Sequence, residues 1–244
     1  MKITLDFAAV LSQWPLLAKG VLYTAVLTMI SAVIGVLLGV VCAWVRAWGP
    51  AWGKWIVGGY VEAIRNTPFI IQLFFIFFGL PSLGLRLSPE LASVIAMVVN
   101  LGAYATEIIR AGIESTPRGQ IEAAASLAMT RAQIFTRVVL PPALARVWPA
   151  LVAQIIIVML GSAVCGQIST EELSFAANLI QSRNFRAFES FIIATLIYLA
   201  LAVALRYCLN AFGSRFIFAH QHAANQTVAN QNAANQMVVK QGAK

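Results

Sequence analysis

The sequence predicts an all-α polytopic membrane protein with about five transmembrane helices, on three observations. Of 244 residues, 60% are hydrophobic and only 11% charged, where a soluble domain carries about 25% charged residues. The hydrophobic residues come in long uncharged blocks, at 20–45, 66–85, 91–106, 147–170 and 190–205. The basic residues gather in three places instead of spreading along the chain.

A helix needs roughly 20 apolar residues to cross the hydrocarbon core. The first, second and fourth blocks reach that length alone. The third and fifth span only with Glu107 and Arg110, or Arg206 and Tyr207, at their ends. The expected spans are therefore about 20–45, 66–85, 88–110, 145–168 and 188–208, within a membrane domain of 20–215. Residues 1–19 form a short external arm with an interfacial turn near Trp14-Pro15. The first block is too long for a signal peptide's apolar region, and nothing soluble follows it.

The net charge of +8 raises a nucleic-acid reading, which the distribution removes. Twelve of the 17 Lys and Arg fall at Arg46, Lys54 and Arg65; at Arg110, Arg118, Arg131, Arg137 and Arg146; and at Arg206, Arg215, Lys240 and Lys244. Cytoplasmic loops are enriched in Lys and Arg. These places then lie inside, the N-terminus outside and the C-terminus inside, as an odd number of spans requires.

In the first span Thr24, Thr28, Ser31, Gly35 and Gly39 recur at spacings of three and four, on one helix face. Small residues let helices approach closely in lipid, so this stripe should meet another helix. Gly49-Pro50 ends the span amid Trp44, Trp48, Trp52 and Trp55, and 51–65 reads as a helix lying partly in the interface. Thr67-Pro68 marks a break near the start of the second span. In the third span Asn100, Tyr104 and Glu107 form one polar stripe, with Arg110 one turn beyond. Such residues face a bundle interior or a water path; the alternative is an ion pair at the inner interface.

The segment 111–142 is too polar to span. Thr116 caps a helix with Pro117 at its first position, Thr130 and Gln133 fit a capping box for a second helix, and Pro141-Pro142 ends it. Beyond the fourth span, Thr170-Glu171-Glu172 starts a short helix with acids suited to its dipole. Residues 216–244 repeat Ala-Asn-Gln three times and read as a disordered cytoplasmic tail. Cys42, Cys165 and Cys208 read as buried small residues with no disulfide.

No constellation for catalysis is visible. The only Gly-Lys pair, Gly53-Lys54, is followed by Trp55, so there is no phosphate-binding loop. HExxH and G-x-S-x-G are absent. The two histidines, His220 and His222, are a weak metal signal. The expectation is a non-enzyme with no cofactor and no metal; if the system spends ATP, another subunit binds it.

Glu122-Ala123-Ala124, then Ala128, then Val138-Val139-Leu140-Pro141 resembles the EAA loop of ATP-binding cassette (ABC) importer permeases, which reads E-A-A-x-x-x-G and, nine residues on, I-x-L-P. Residues 59–68 (GYVEAIRNTP) with Gln72-Leu73-Phe74-Phe75, and 102–113 (GAYATEIIRAGI), resemble the polar amino-acid branch of that family, and Pro117-Arg118-Gly119-Gln120 leads into the loop as in its members. The resemblance covers about 20–215 and implies a type I importer permease fold. It implies a dimer with an identical or paralogous permease, two cytoplasmic ATP-binding subunits, an external substrate-binding protein, and the inner membrane of a bacterium. It also implies that the loop residues Glu122, Ala123, Ala124, Ala128, Leu140 and Pro141 couple to the ATPase. Asn100, Tyr104, Glu107 and Arg110 are candidates for the translocation path or the dimer interface.

Two positions depart from the family. Ala128 stands where the family has Gly; in a left-handed conformation Ala is disfavoured by about 1 kcal/mol, unless the turn stays right-handed. Leu160, Gly161, Ser162 and Ala163 replace a Lys-Asp-Thr-Ser-like stretch of the fourth span, removing a charged pair. The rival readings are a secondary transporter, for which no internal repeat is seen, and a membrane assembly protein.

Overall fold

The computed structural model describes residues 5–217, and every regular element among them is helical. The tail repeats, with His220, His222, Lys240 and Lys244, lie outside the described residues. A short helix α1 (Phe7–Leu11) is capped by Asp6, whose Oδ1 accepts from the Ala9 amide. The first long helix, α2 (Trp14–Trp48), starts earlier than the charge-free block suggests, with Pro15 in its first turn. Lys19 does not end it because its ammonium pairs with Glu171, so the expected arm of 1–19 is already helical from Trp14.

The small-residue stripe of α2 is buried throughout. It lies on α5 (Pro89–Glu114), and the fit requires glycine: a Cβ at Gly35 would sit 3.0 Å from Leu101, and one at Gly39 2.6 Å from the Ala105 Cβ. The opposite face of α2 turns Leu22, Met29, Val33, Leu37 and Val41 outward, which suits a helix solvated by lipid tails.

Gly49 and Pro50 separate α2 from α3 (Ala51–Arg65). After the break at Asn66–Pro68 come α4 (Phe69–Phe74), a π-helical turn (Phe75–Gly79) and a 3₁₀ turn (Leu80–Leu83). The axis bends by 111° across the break, the geometry of a broken span or of a re-entrant loop. Among the described residues, four unbroken stretches are long and apolar enough to cross a membrane, or five if the bent pair is one span.

Beyond α5 lie α6 (Arg118–Ser126), α7 (Arg131–Gln133), a π-helical turn (Ile134–Val139) and α8 (Leu140–Gly161). The expectation that Pro141-Pro142 ends the loop helix is corrected: helix runs without interruption from Arg131 to Ile168, its last turns 3₁₀. Pro cannot donate to the preceding turn and its ring crowds the i−4 carbonyl; the widened π turn just before the prolines accommodates both. Gly112 and Ala143 mark the close crossing of α5 and α8, where a Cβ on Gly112 would meet the Ala143 carbonyl oxygen at 2.9 Å.

On the far side from the 111–142 loop, α9 (Leu173–Asn184) packs on α2 and α10 (Ala187–Phe212). Glu172 is its N-cap, not a first-turn acid as the sequence suggested; its carboxylate accepts from the Ser174 and Phe175 amides and, at 2.6 Å, from the Tyr198 hydroxyl. Burial pushes the Glu172 carboxyl above the usual carboxylate range, against these hydrogen bonds. Cys42 and Cys165 are buried as expected, but Cys208 is exposed, because α10 packs inward along one side only.

Candidate functional site

Three features carry chemistry, and all three are built on α5 and α8 or the loop between them. The loop comes first. α6 ends in a Schellman turn: the Met129 amide donates to the Ala124 carbonyl and the Ala128 amide to the Ala125 carbonyl. That turn requires a left-handed residue, and Ala128 takes it with φ 56°, which decides between the two conformations the sequence left open. The capping box at α7 is present: Gln133 N donates to Thr130 Oγ1 at 3.3 Å and Thr130 N to Gln133 Oε1 at 2.8 Å. The cap at α6 is not: Pro117 occupies the N-cap position, and the Thr116 hydroxyl is buried without a hydrogen-bond partner.

The loop is clamped to the end of α2. The Phe135 ring meets Trp48 edge-on at 5.6 Å and Trp44 at 6.5 Å. Ala124 is 5% exposed and packs with Ile134 and Phe135 beneath the loop. Its small size serves the loop's own packing. Glu122, Ala123 and Ala128 face outward, and Leu127 is 78% exposed at the tip. Leu140 is half-buried against the same core and Pro141 is exposed at the start of α8. Sequence reasoning missed Leu127 as an outward apolar knob, since a lone Leu in a polar loop reads as inward-facing.

The second feature is an ion cluster. Glu107 accepts from Arg110 Nη2 at 2.8 Å, and its carboxylate lies 3.7 Å from Arg46 Nη2 and 3.9 Å from Arg65 Nη1. Arg110 also pairs with Glu114. One carboxylate thus gathers the ends of α2 and α3 onto α5. The Glu107–Arg110 pair is legible in the sequence; Arg46 and Arg65 are not, because they come from separate elements.

The third is a cavity of about 440 Å³ between α5, α8 and the 66–69 break, in the size range of small-molecule sites. Thr67, Asn100, Tyr104, Gln154 and Gly161 line it along with apolar side chains. Asn100 and Tyr104 of the expected stripe reach it; Glu107 and Arg110 do not. Gln72, buried beside it, closes the break: its Nε2 donates to the Ile64 and Thr67 carbonyls at 2.7 and 3.0 Å, acceptors that Pro68 cannot serve. Its Oε1 accepts from Asn100 Nδ2 at 3.0 Å. The one signal for Gln154 in the sequence is an amide within the apolar block 147–170.

Residues 35–217 match the family described as "Binding-protein-dependent transport system inner membrane component". The chain is 37% identical over 173 residues to the L-cystine transport system permease protein TcyB of Bacillus subtilis (strain 168), covering 71% of this chain and 74% of that one. It is 33% identical to the arginine transport system permease protein ArtQ of the same organism, over 84% and 94% of the two chains. Among solved structures, the crystal structure of an amino acid ABC transporter with histidines superposes with a TM-score of 0.78 at 36% identity, covering 88% of this chain and 100% of that one.

Proposed function

The chain belongs to the family of binding-protein-dependent transport system inner membrane components, and from that premise we propose how its parts work. It is a multi-pass membrane protein and the permease subunit of an ABC importer, carrying a polar amino acid or close derivative on ATP hydrolysed by partner subunits. Two cytoplasmic ATP-binding subunits, a second permease, identical or paralogous, and an external substrate-binding protein complete the assembly. This subunit itself performs no catalysis. Its N-terminus lies outside and its C-terminus inside, which puts the 111–142 loop on the cytoplasmic face.

One observation carries the mechanism. Helix is continuous from Arg131 to Ile168, so the second half of the loop and the cavity wall at Gln154 and Gly161 are one rod. α6 rides on that rod through the buried Ala124–Phe135 contact. A displacement imposed at Glu122, Ala123 and Leu127 by closure of the ATPase dimer therefore reaches the cavity along one continuous helix, through its π turn and Pro149. Asn100 and Tyr104 on α5 form the facing wall, and the cluster of Glu107 with its three arginines holds the cytoplasmic end of α5. Opening and closing of the gap between α5 and α8 alternates access to the cavity.

Substitution at the loop surface tests this. Glu122→Lys and Leu127→Asp alter exposed side chains outside the bilayer, so membrane abundance should stay normal. ATPase association and substrate-stimulated hydrolysis should fall together. Transport at the parent rate by both variants would remove this loop as the ATPase contact.

A further inference from the structure

The cavity contains no Asp, Glu, Lys, Arg or His among its lining residues. Its polar groups are amides and hydroxyls, and several are uncommitted. The Gln154 amide and the Tyr104 hydroxyl make no hydrogen bond with another described residue, and Asn100 uses only its Nδ2. A positive charge lies against this wall: the Arg65 guanidinium stands over the Tyr104 ring, 5.5 Å from its centroid. Of the two carboxylates in that cluster, Glu107 is shared among Arg46, Arg65 and Arg110, and Glu114 is taken by Arg110. Three guanidiniums against two carboxylates leave one net positive charge behind the polar wall.

Resting on the importer reading above, we infer that the cavity selects amino acids with uncharged, hydrogen-bonding side chains and rejects those with cationic side chains. An amide or ureido side chain finds matching donors and acceptors in Gln154, Asn100 and Tyr104. A cationic side chain finds no carboxylate to replace its hydration, and burying an unpaired charge is strongly unfavourable. It is also repelled by the cluster behind Tyr104, whose ring face toward Arg65 is already occupied by a cation. The relatives include permeases named for cystine, whose net charge is zero, and for arginine, which is cationic, so family membership alone does not choose.

The test is equilibrium binding of radiolabelled glutamine, citrulline and arginine to the purified permease–ATPase complex, without the substrate-binding protein and its own selectivity. Citrulline and arginine share a shape and differ in charge. Citrulline should bind at least about tenfold more tightly than arginine, the penalty expected of one unpaired charge. Two variants add a carboxylate: Gln154→Glu, and Gly161→Asp, where a new Cβ meets nothing within 4 Å. Either should narrow or invert the ratio. Equal or tighter arginine binding by the parent complex overturns the inference and leaves the importer reading standing. Failure of all three to bind while binding-protein-driven uptake proceeds also overturns it, since the cavity is then not a substrate site. Uptake that needs no ATP would instead defeat the importer reading itself.

Discussion

Ala128→Gly should make the 111–142 loop more stable. Ala128 sits at φ 56° as the left-handed residue of the Schellman turn that ends α6. The left-handed conformation costs a residue with a Cβ about 1–2 kcal/mol. Glycine escapes that cost but gains about 0.4–1 kcal/mol of unfolded-chain freedom. The difference is a stabilisation of about 0–1.6 kcal/mol, centred near 0.8, local to the α6 end. Ala128 is exposed, so no packing is lost. Hydrogen exchange at the Leu127, Ala128 and Met129 amides of the membrane-embedded complex reads the effect, because 1 kcal/mol slows opening about fivefold. Ala125→Gly is the control: Ala125 is exposed in the helical part of α6, and the same chemical change there should speed exchange, at a cost of about 0.8–1 kcal/mol. Slowing in both variants, or no slowing in Ala128→Gly, refutes the assignment of strain to the left-handed turn.

Gly39→Ala should lower the thermal midpoint of the complex, since its Cβ falls 2.6 Å from that of Ala105 and overpacking costs about 1–3 kcal/mol; Gly119→Ala, with open space around its Cβ, should not. Gln72→Leu strips two carbonyls of a donor and frees the Asn100 amide; destabilisation of about 1–3 kcal/mol for an orphaned buried group and loss of uptake are expected, and an unchanged midpoint would remove Gln72 as the clamp of the break. Glu107→Gln should slow transport while lowering the midpoint only slightly, because partly exposed ion pairs contribute about 0–1 kcal/mol each; unchanged uptake would take the cluster off the functional path. Reporters fused after Arg215 and inserted near Leu85 should read cytoplasmic and external respectively, and the reverse pattern would invert the topology.

The residues that decided the fold class act through the solvent they prefer, and such preferences are legible one block at a time. Uncharged stretches pointed to the long apolar helices, Thr67-Pro68 to the break, and Gly35 and Gly39 to the face of α2 that meets another helix. Thr130 and Gln133 announced their capping box because both partners lie within one turn of chain. What failed were inferences that needed a neighbour distant in sequence. Lys19 did not end the first helix because Glu171 was there to meet it, and Pro141-Pro142 did not end the loop helix because a π turn absorbed them. Ala124 faces the loop's own core because Phe135 is anchored on Trp48. The Glu107 cluster draws on α2, α3 and α5, and the cavity on Asn100 and Gln154 from different spans. Hydrophobic patterning acts along the chain and can be read there. Ion pairs, ring contacts and cavity walls are made between segments, so only their packing in three dimensions decided them.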